Sequence, residues 1–343
     1  MQCNRIVNPL GFALDQPRLS WVLESETAKT QLACQIQVAL DSDFREIVHD
    51  TGQQADIDSI GYSLPLTLKP RTRYYWQVKV WTDMGEVESP IAWFETAKVD
   101  EPWQAKWITP VWQDNEIHPW LRKRFALTKP IKQARLYICG LGLYEVEING
   151  QRVGDEYFTP YCNSYDNWIQ YQTFDVTRHL LQGENVIGAL LGNGWYKGRF
   201  TYAANKKEIY GDRFALICEL RITYRDGTAE LICSDQSWKA KASHVLASSI
   251  YDGEIQDANL FLDNWSSPEL DDINWDGVRL IELDYSLLQP RRSLPVRIME
   301  KLKPAAVIHT PNGETVLDLG QNMVGWVSFK TNVPQGTKIF LQF

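Results

Sequence analysis

Two carboxylates stand two residues apart in Tyr251-Asp252-Gly253-Glu254, with Asp257 close behind. On a strand, residues i and i+2 share a face, about 6.5–7 Å apart at a rise of ~3.3 Å per residue. That overlaps the ~6.5–9.5 Å between acid and base in an inverting hydrolysis. Inversion needs its two carboxyl groups on opposite sides of the bond being cut, whereas neighbours on one strand lie on the same side. The run is therefore poor for catalysis. It suits a sugar contact, a calcium site built from carboxylate and carbonyl oxygens, or an acidic loop held by its own backbone N–H groups. A second place with chemistry is Gly192-Asn193-Gly194-Trp195-Tyr196. Glycines there permit positive φ and close backbone approach. An exposed Trp195 beside Tyr196 offers flat rings for the C–H faces of a sugar, while a buried one closes a sandwich. The Gly-x-Gly is not a phosphate loop, because no helix follows it. The acidic run from Asp263 to Asp272 lacks the glycine and spacing of an EF-hand and reads as a surface loop. The Asn264-Trp265-Ser266 sequon within it reads as chance. No Gly-x-Ser-x-Gly or His-Glu-x-x-His is present.

The elements that must hold these residues are strands. In 73–81 the residues Tyr74, Trp76, Val78 and Val80 alternate with Tyr75, Gln77, Lys79 and Trp81, and 33–40 alternates likewise. With 18–23 and 91–96 they predict a sandwich over residues 1–97. Residues 98–106 are polar and read as a linker. Strands are then expected at 121–127, 133–140, 143–148, 171–176, 185–191, 213–224 and 229–233. Asn149-Gly150 marks a two-residue hairpin, and 175–181 is a short helix. That density of strands across 104–285 predicts a jelly roll. Residues 286–304 read as a second linker. Strands at 316–319, 325–331 and 338–343, with a turn at 333–336, open a third β-domain over 300–343. The sequence stops inside an apparent strand, which favours truncation of a longer chain.

Composition limits the partners. The 343 residues carry 35 basic and 43 acidic side chains, a net charge of −8, and the sequence pI is near 5.3. This argues against nucleic acid or an anionic membrane as partner. Hydrophobic residues at 44% are enough for real cores, so wholesale disorder is excluded. Fourteen tryptophans outnumber the twelve phenylalanines, a bias that suits β-sandwiches and sugar-binding surfaces. The six cysteines are scattered without zinc spacing and read as free thiols. No apolar run approaches a membrane span, and the first residues lack a secretory pattern. The cytoplasm is the expected location.

Several motifs occur together and in order. Gly142-Leu143-Tyr144-Glu145-Val146-Glu147-Ile148-Asn149-Gly150 continues to Gly154-Asp155. Tyr171-Gln172-Thr173-Phe174-Asp175-Val176-Thr177 and Gly192-Asn193-Gly194-Trp195-Tyr196-Lys197-Gly198 follow, then Tyr251-Asp252-Gly253-Glu254-Ile255-Gln256-Asp257-Ala258. The series resembles the N-terminal region of bacterial α-L-rhamnosidases of glycoside hydrolase family 78. Leu317-Asp318-Leu319-Gly320-Gln321-Asn322 resembles the opening of the next, concanavalin-like β-domain of that family. Pro17-Arg18-Leu19-Ser20-Trp21 fits its first domain, and Leu68-Lys69-Pro70-Arg71-Thr72-Arg73-Tyr74 resembles a strand entry of fibronectin type III sandwiches, with Trp21 as core tryptophan.

The resemblance implies an all-β chain: a fibronectin- or immunoglobulin-like sandwich, a jelly roll and the first strands of a further sandwich. It implies an inverting enzyme whose catalytic carboxylates sit in an (α/α)6 barrel that residues 1–343 do not contain, so no catalytic residue is expected here. The implied partners are rhamnose-containing glycosides and that barrel. Trp195, Tyr196, Tyr251, Asp252 and Glu254 are the candidate sugar contacts. Some members bind rhamnose through calcium with an acidic loop, which makes Asp155 and its neighbour Glu156 the candidate ligands. Glu156 departs from the usual Asp-Asn pair. No cofactor is required, and calcium is left open. A rhamnose-binding module and a purely structural scaffold remain alternatives.

Overall fold

A computed structural model describes residues 1–201, 206–334 and 337–339. It divides into two compact units, residues 1–297 and 298–343.

The first sandwich follows from alternation. Tyr74, Trp76, Val78 and Val80 all point into one core with Ile36, Val38, Leu19 and Trp21. The strand that carries the first four, Arg73–Thr82, lies at the centre of a sheet between Gln31–Ala39 and Ala92–Thr96. Gln2–Cys3, Arg18–Ser20 and Tyr62–Ser63 form the facing sheet. At the strand entry the Tyr74 hydroxyl accepts the Lys69 N–H at 2.8 Å, and its ring stacks on Phe94. A buried phenol thus meets its hydrogen-bonding need next to the turn that introduces it.

The jelly roll is a continuous path of antiparallel strands folded over itself. Leu143–Ile148, Gly183–Gly192, Pro119–Leu127 and Lys239–Ala242 lie towards one end of the path. Trp107–Pro110, Ala215–Tyr224, Ile131–Leu141 and Ile169–Asp175 lie towards the other. Leu121, Val146 and Ile187 from one half meet Leu136, Leu216 and Leu220 from the other in a single apolar core. Asn149 and Gly150 join Leu143–Ile148 to Gln151–Arg152 with φ of 53° and 76°. Both signs are positive, as a type I′ hairpin requires.

Several expectations are corrected. The helix at 175–181 is a single 3-10 turn, Thr177–His179. Leu180 is already extended, and the Asn185 side chain takes up the Leu181 N–H, so the next turn has no bond to close on. Residues 98–106 are not a solvated linker. Lys98 is buried, pairs with buried Glu219 and stands 4.3 Å over the Trp103 ring. The N–H groups of Gln104 and Ala105 donate to the same carboxylate. In 286–304, Leu288–Pro290 adds a parallel edge strand to Ile169–Asp175, and Arg291 after it is buried. The run 263–272 is not merely a surface loop. Trp265 is buried against Trp120, and Asp272 pairs with Arg122 and Lys239. In each case polar composition suggested solvent, but each charge had a buried partner from a distant part of the chain. In the second unit Ala306–His309 pairs with Thr315–Asp318. The strand expected at 325–331 is absent, since those residues join no ladder among the described residues. The turn at 333–336 and the strand at 338–343 fall partly on residues 335–336 and 340–343, outside the described residues.

Within residues 1–297 the first sandwich is joined to the jelly roll through charge. Glu95 is buried and receives Arg135 at 2.6 and 2.9 Å and Arg73 at 2.9 Å. Arg135 also reaches Asp175 at 3.0 Å. Replacing Glu95 by Ala leaves the buried Arg135 with the half-exposed Asp175 as its remaining counter-charge. The expected loss is about 3 kcal/mol in urea unfolding, against about 1 kcal/mol for Tyr74→Phe. Equal midpoints for the two variants would show that Arg135 re-solvates without cost.

Candidate functional site

The sugar-contact candidates lie on two segments that meet. One is the stretch after Gly183–Gly192, and the other is the hairpin of Val245–Ser249 and Gly253–Gln256. Asp252 occupies the hairpin turn, and Gly253 follows with φ of 81°. Asp252 and Glu254 are therefore not successive same-face positions of one strand, and the carboxylate separation read from strand geometry does not apply. Asp252 accepts Arg199 through Nε and Nη2, at 3.2 and 2.7 Å, and Ser249 Oγ at 2.8 Å. The Ser249 hydroxyl and the Arg199 charge hold its carboxyl below the usual range. A group kept ionised in this way cannot serve as a general acid. Glu254 is exposed and accepts Gln256 Nε2. The Tyr251 ring is 41% exposed, lies 4.8 Å from the Arg199 guanidinium and donates its hydroxyl to the Phe200 carbonyl.

Trp195 and Tyr196 sit differently. Tyr196 is 9% exposed and packs edge-on against Tyr165, so its faces are covered. Trp195 is half-buried against the same aromatic group. Of the three candidate rings Tyr251 is the most exposed.

Residues not singled out by sequence hold this cluster together. Lys197 is 1% exposed, its ammonium 3.1 Å from Glu116, 3.7 Å from Glu208 and 5.3 Å over Phe214. Ser248, on the hairpin, shares a hydrogen bond with His118 Nε2 at 2.8 Å and accepts the Asn193 N–H at 2.9 Å. Asn193 Nδ2 donates back to the Ser248 carbonyl. Lys197 and Asn193 belonged to the glycine-rich run, so a signal existed for them. His118 and Ser248 stand 130 positions apart, and nothing local marks their meeting.

Asp155 and Glu156 lie elsewhere, where the first sandwich meets the jelly roll. Both Glu156 oxygens accept the Arg291 guanidinium at 2.7 and 2.8 Å, and the Tyr161 hydroxyl donates to one of them at 2.7 Å. Asp155 pairs with Arg297 at 2.9 Å. A cation at this pair of carboxylates has to displace two guanidinium groups. Among the described residues no group of three or more Cys, His, Asp or Glu is placed to hold a metal. Burial, and secondarily the Glu156 charge, pushes the Tyr161 phenol upward.

Burial, aided by the Lys197 charge and opposed by Glu116, pushes the His118 imidazole down from 6.5 to about 4. Between those values the unfolded chain holds more protons than the folded one. Stability is then full above about pH 6.5 and falls as pH drops towards 4, by up to about 3 kcal/mol. Urea unfolding across this range must show the fall, and His118→Asn must flatten it. A fall of the same size in the variant would assign it to other groups.

Comparison with known proteins follows the same division of the chain. Residues 129–300 match the family described as the alpha-L-rhamnosidase N-terminal domain. Residues 1–100 match the Rha78A-like N-terminal immunoglobulin domain, and 308–343 the bacterial alpha-L-rhamnosidase concanavalin-like domain. An alpha-L-rhamnosidase of Formosa agariphila is 33% identical over 98% of this chain, and one of an Alteromonas species is 31% identical over 98%. The chain spans 38% and 39% of their lengths. The solved alpha-L-rhamnosidase of Aspergillus terreus superposes with a TM-score of 0.83 at 33% identity, covering 94% of this chain and 38% of that one. That from Dictyoglumus thermophilum gives 0.78 at 33% identity over the same shares. With its larger domain matched as a unit and its length followed in order by these enzymes, the chain belongs to the bacterial α-L-rhamnosidase family as an N-terminal β-domain region.

Proposed function

We propose that these domains serve an enzyme that removes terminal α-L-rhamnose from glycosides with inversion, with the hydrolytic carboxylates outside residues 1–343. Their work is to support the catalytic domain and, through the 250–254 hairpin tip, to form part of the wall of its substrate cleft. The carrying observation is the in-order likeness to rhamnosidases over nearly the whole chain. A second observation agrees with it. An inverting pair needs a general acid with a raised pKa. Among the described residues, every carboxyl group with a displaced pKa is displaced downward.

A carbohydrate-binding role is the second reading. It is favoured by the partly exposed Tyr251 ring beside the ionised Asp252. Ligand-observed NMR of an aryl α-L-rhamnoside with this chain, with and without calcium, tests both. No free rhamnose is expected to form, and its appearance would place the active site within residues 1–343. Line broadening lost in Tyr251→Ala would establish binding at the hairpin tip, and calcium dependence would add a cation to it. Unchanged spectra would leave support of the catalytic domain as the role.

A further inference from the structure

We propose that the first sandwich takes up an extended peptide segment of alternating apolar and basic residues, added as a strand along Gly85–Glu88. The site lies within residues 1–100 and does not depend on the hydrolytic reading. Gly85–Glu88 pairs with Arg73–Thr82 on one side and joins no other ladder among the described residues. The Ser89 N–H donates to the Val78 carbonyl. Backbone direction alternates along an antiparallel pair. The N–H and C=O groups of Glu86 and Glu88 therefore point away from Arg73–Thr82, and they form an edge to which a strand can add.

A groove of about 500 Å³ adjoins this edge, within the ~300–1,000 Å³ of ordinary ligand clefts. Trp21, Leu23, Val78, Val80, Val87 and Ile91 line it. Val80 is a buried core residue, yet Val87, directly opposite it in the ladder, is 47% exposed, and Ile91 is 48% exposed. The core face of the sheet is thus left uncovered at this edge. Side chains alternate as well. Val87 shares the groove face with Val80, while Glu86 and Glu88 belong to the face of Lys79, which pairs with Glu86 at 2.8 Å. Glu88 forms no ion pair among the described residues. An added strand turns one set of side chains to the apolar groove and the alternate set to these two carboxylates, where lysine or arginine is favoured. Glu24 in the groove lining adds to the negative charge. A second copy of the chain fits poorly, because pairing Gly85–Glu88 with itself sets glutamates beside glutamates.

Fluorescence anisotropy of a labelled peptide of alternating valine and lysine, with the intact chain at ~0.15 M salt, tests the proposal together with hydrogen exchange. Saturable binding and slowed amide exchange over residues 85–89 are expected. Glu88→Pro removes an outward N–H without cutting the ladder to Arg73–Thr82, and should weaken binding about tenfold. Val87→Lys places a charge against the peptide's apolar side chains and should weaken it likewise. It carries the comparison if the proline variant loses its folded circular dichroism. The proposal is overturned if binding does not saturate, if a serine–lysine peptide binds as tightly, or if exchange over 85–89 is unchanged. It is overturned too if both variants keep the affinity, or if the chain alone is a dimer already protected over 85–89.

Discussion

The bidentate pair between Glu156 and Arg291 is the constraint on which the arrangement of residues 1–297 turns. Both side chains are nearly dry. A lone charge in such a place costs several kcal/mol, so each partner is tolerated only while the other is present. The pair joins three parts of the chain. Glu156 follows the Asn149-Gly150 hairpin of the jelly roll. Arg291 ends the edge strand Leu288–Pro290 and lies 4.5 Å over the Phe12 ring of the first sandwich. Its carbonyl accepts the Ala13 N–H. Around it, Arg292 reaches Asp15, Gln170 Oε1 accepts two N–H groups of the strap, and the Val296 carbonyl accepts the Tyr157 N–H. Together with Glu95 and Arg135, these bonds make the two sandwiches one body rather than beads on a linker.

Burial of charge shapes the other end of the jelly roll as well. Lys197 is an ammonium enclosed by protein, and it needs Glu116 and Glu208 beside it. Meeting that need draws the glycine-rich turn against residues 116–118. Ser248 then ties the 245–256 hairpin to the same place through His118 and Asn193. The hairpin tip is thus set by the protein's own contacts, and Arg199 orients both Tyr251 and Asp252. A preset aromatic ring and carboxylate lose little freedom on binding, which is the general advantage of preorganised sites.

Much of the fold was legible in residue order. Alternation placed Arg73–Thr82 and Gln31–Ala39, because burial on one face imposes a period of two. Asn149-Gly150 set its hairpin, because few residue pairs accept positive φ twice in succession. Most of the strands missed were short, such as Trp107–Pro110, Lys239–Ala242 and Leu288–Pro290, although the six-residue Asp276–Ile281 was missed as well. Three or four residues carry too little periodicity to be read, and their ladders come from distant partners. The linkers were misread for a related reason. Lys98, Arg291 and Asp272 look solvent-bound in isolation, and only Glu219, Glu156 and Arg122 make them interior.

The candidate site divides in the same way. By itself the sequence determined the β class, the turns and the family likeness, since these rest on local backbone preference and on motifs in series. It read Asp252 and Glu254 as same-face positions of one strand, and the structure places Asp252 in a hairpin turn instead. Only the tertiary structure decided that Tyr196 is covered and Tyr251 more exposed, that Asp155 and Glu156 face arginines, and that His118 meets Ser248. Each of these is a matter of which groups share a water-poor volume. Pairing across such a volume depends on the whole chain's packing, because the free energy of a charge or a ring there is set by neighbours that the local sequence does not contain.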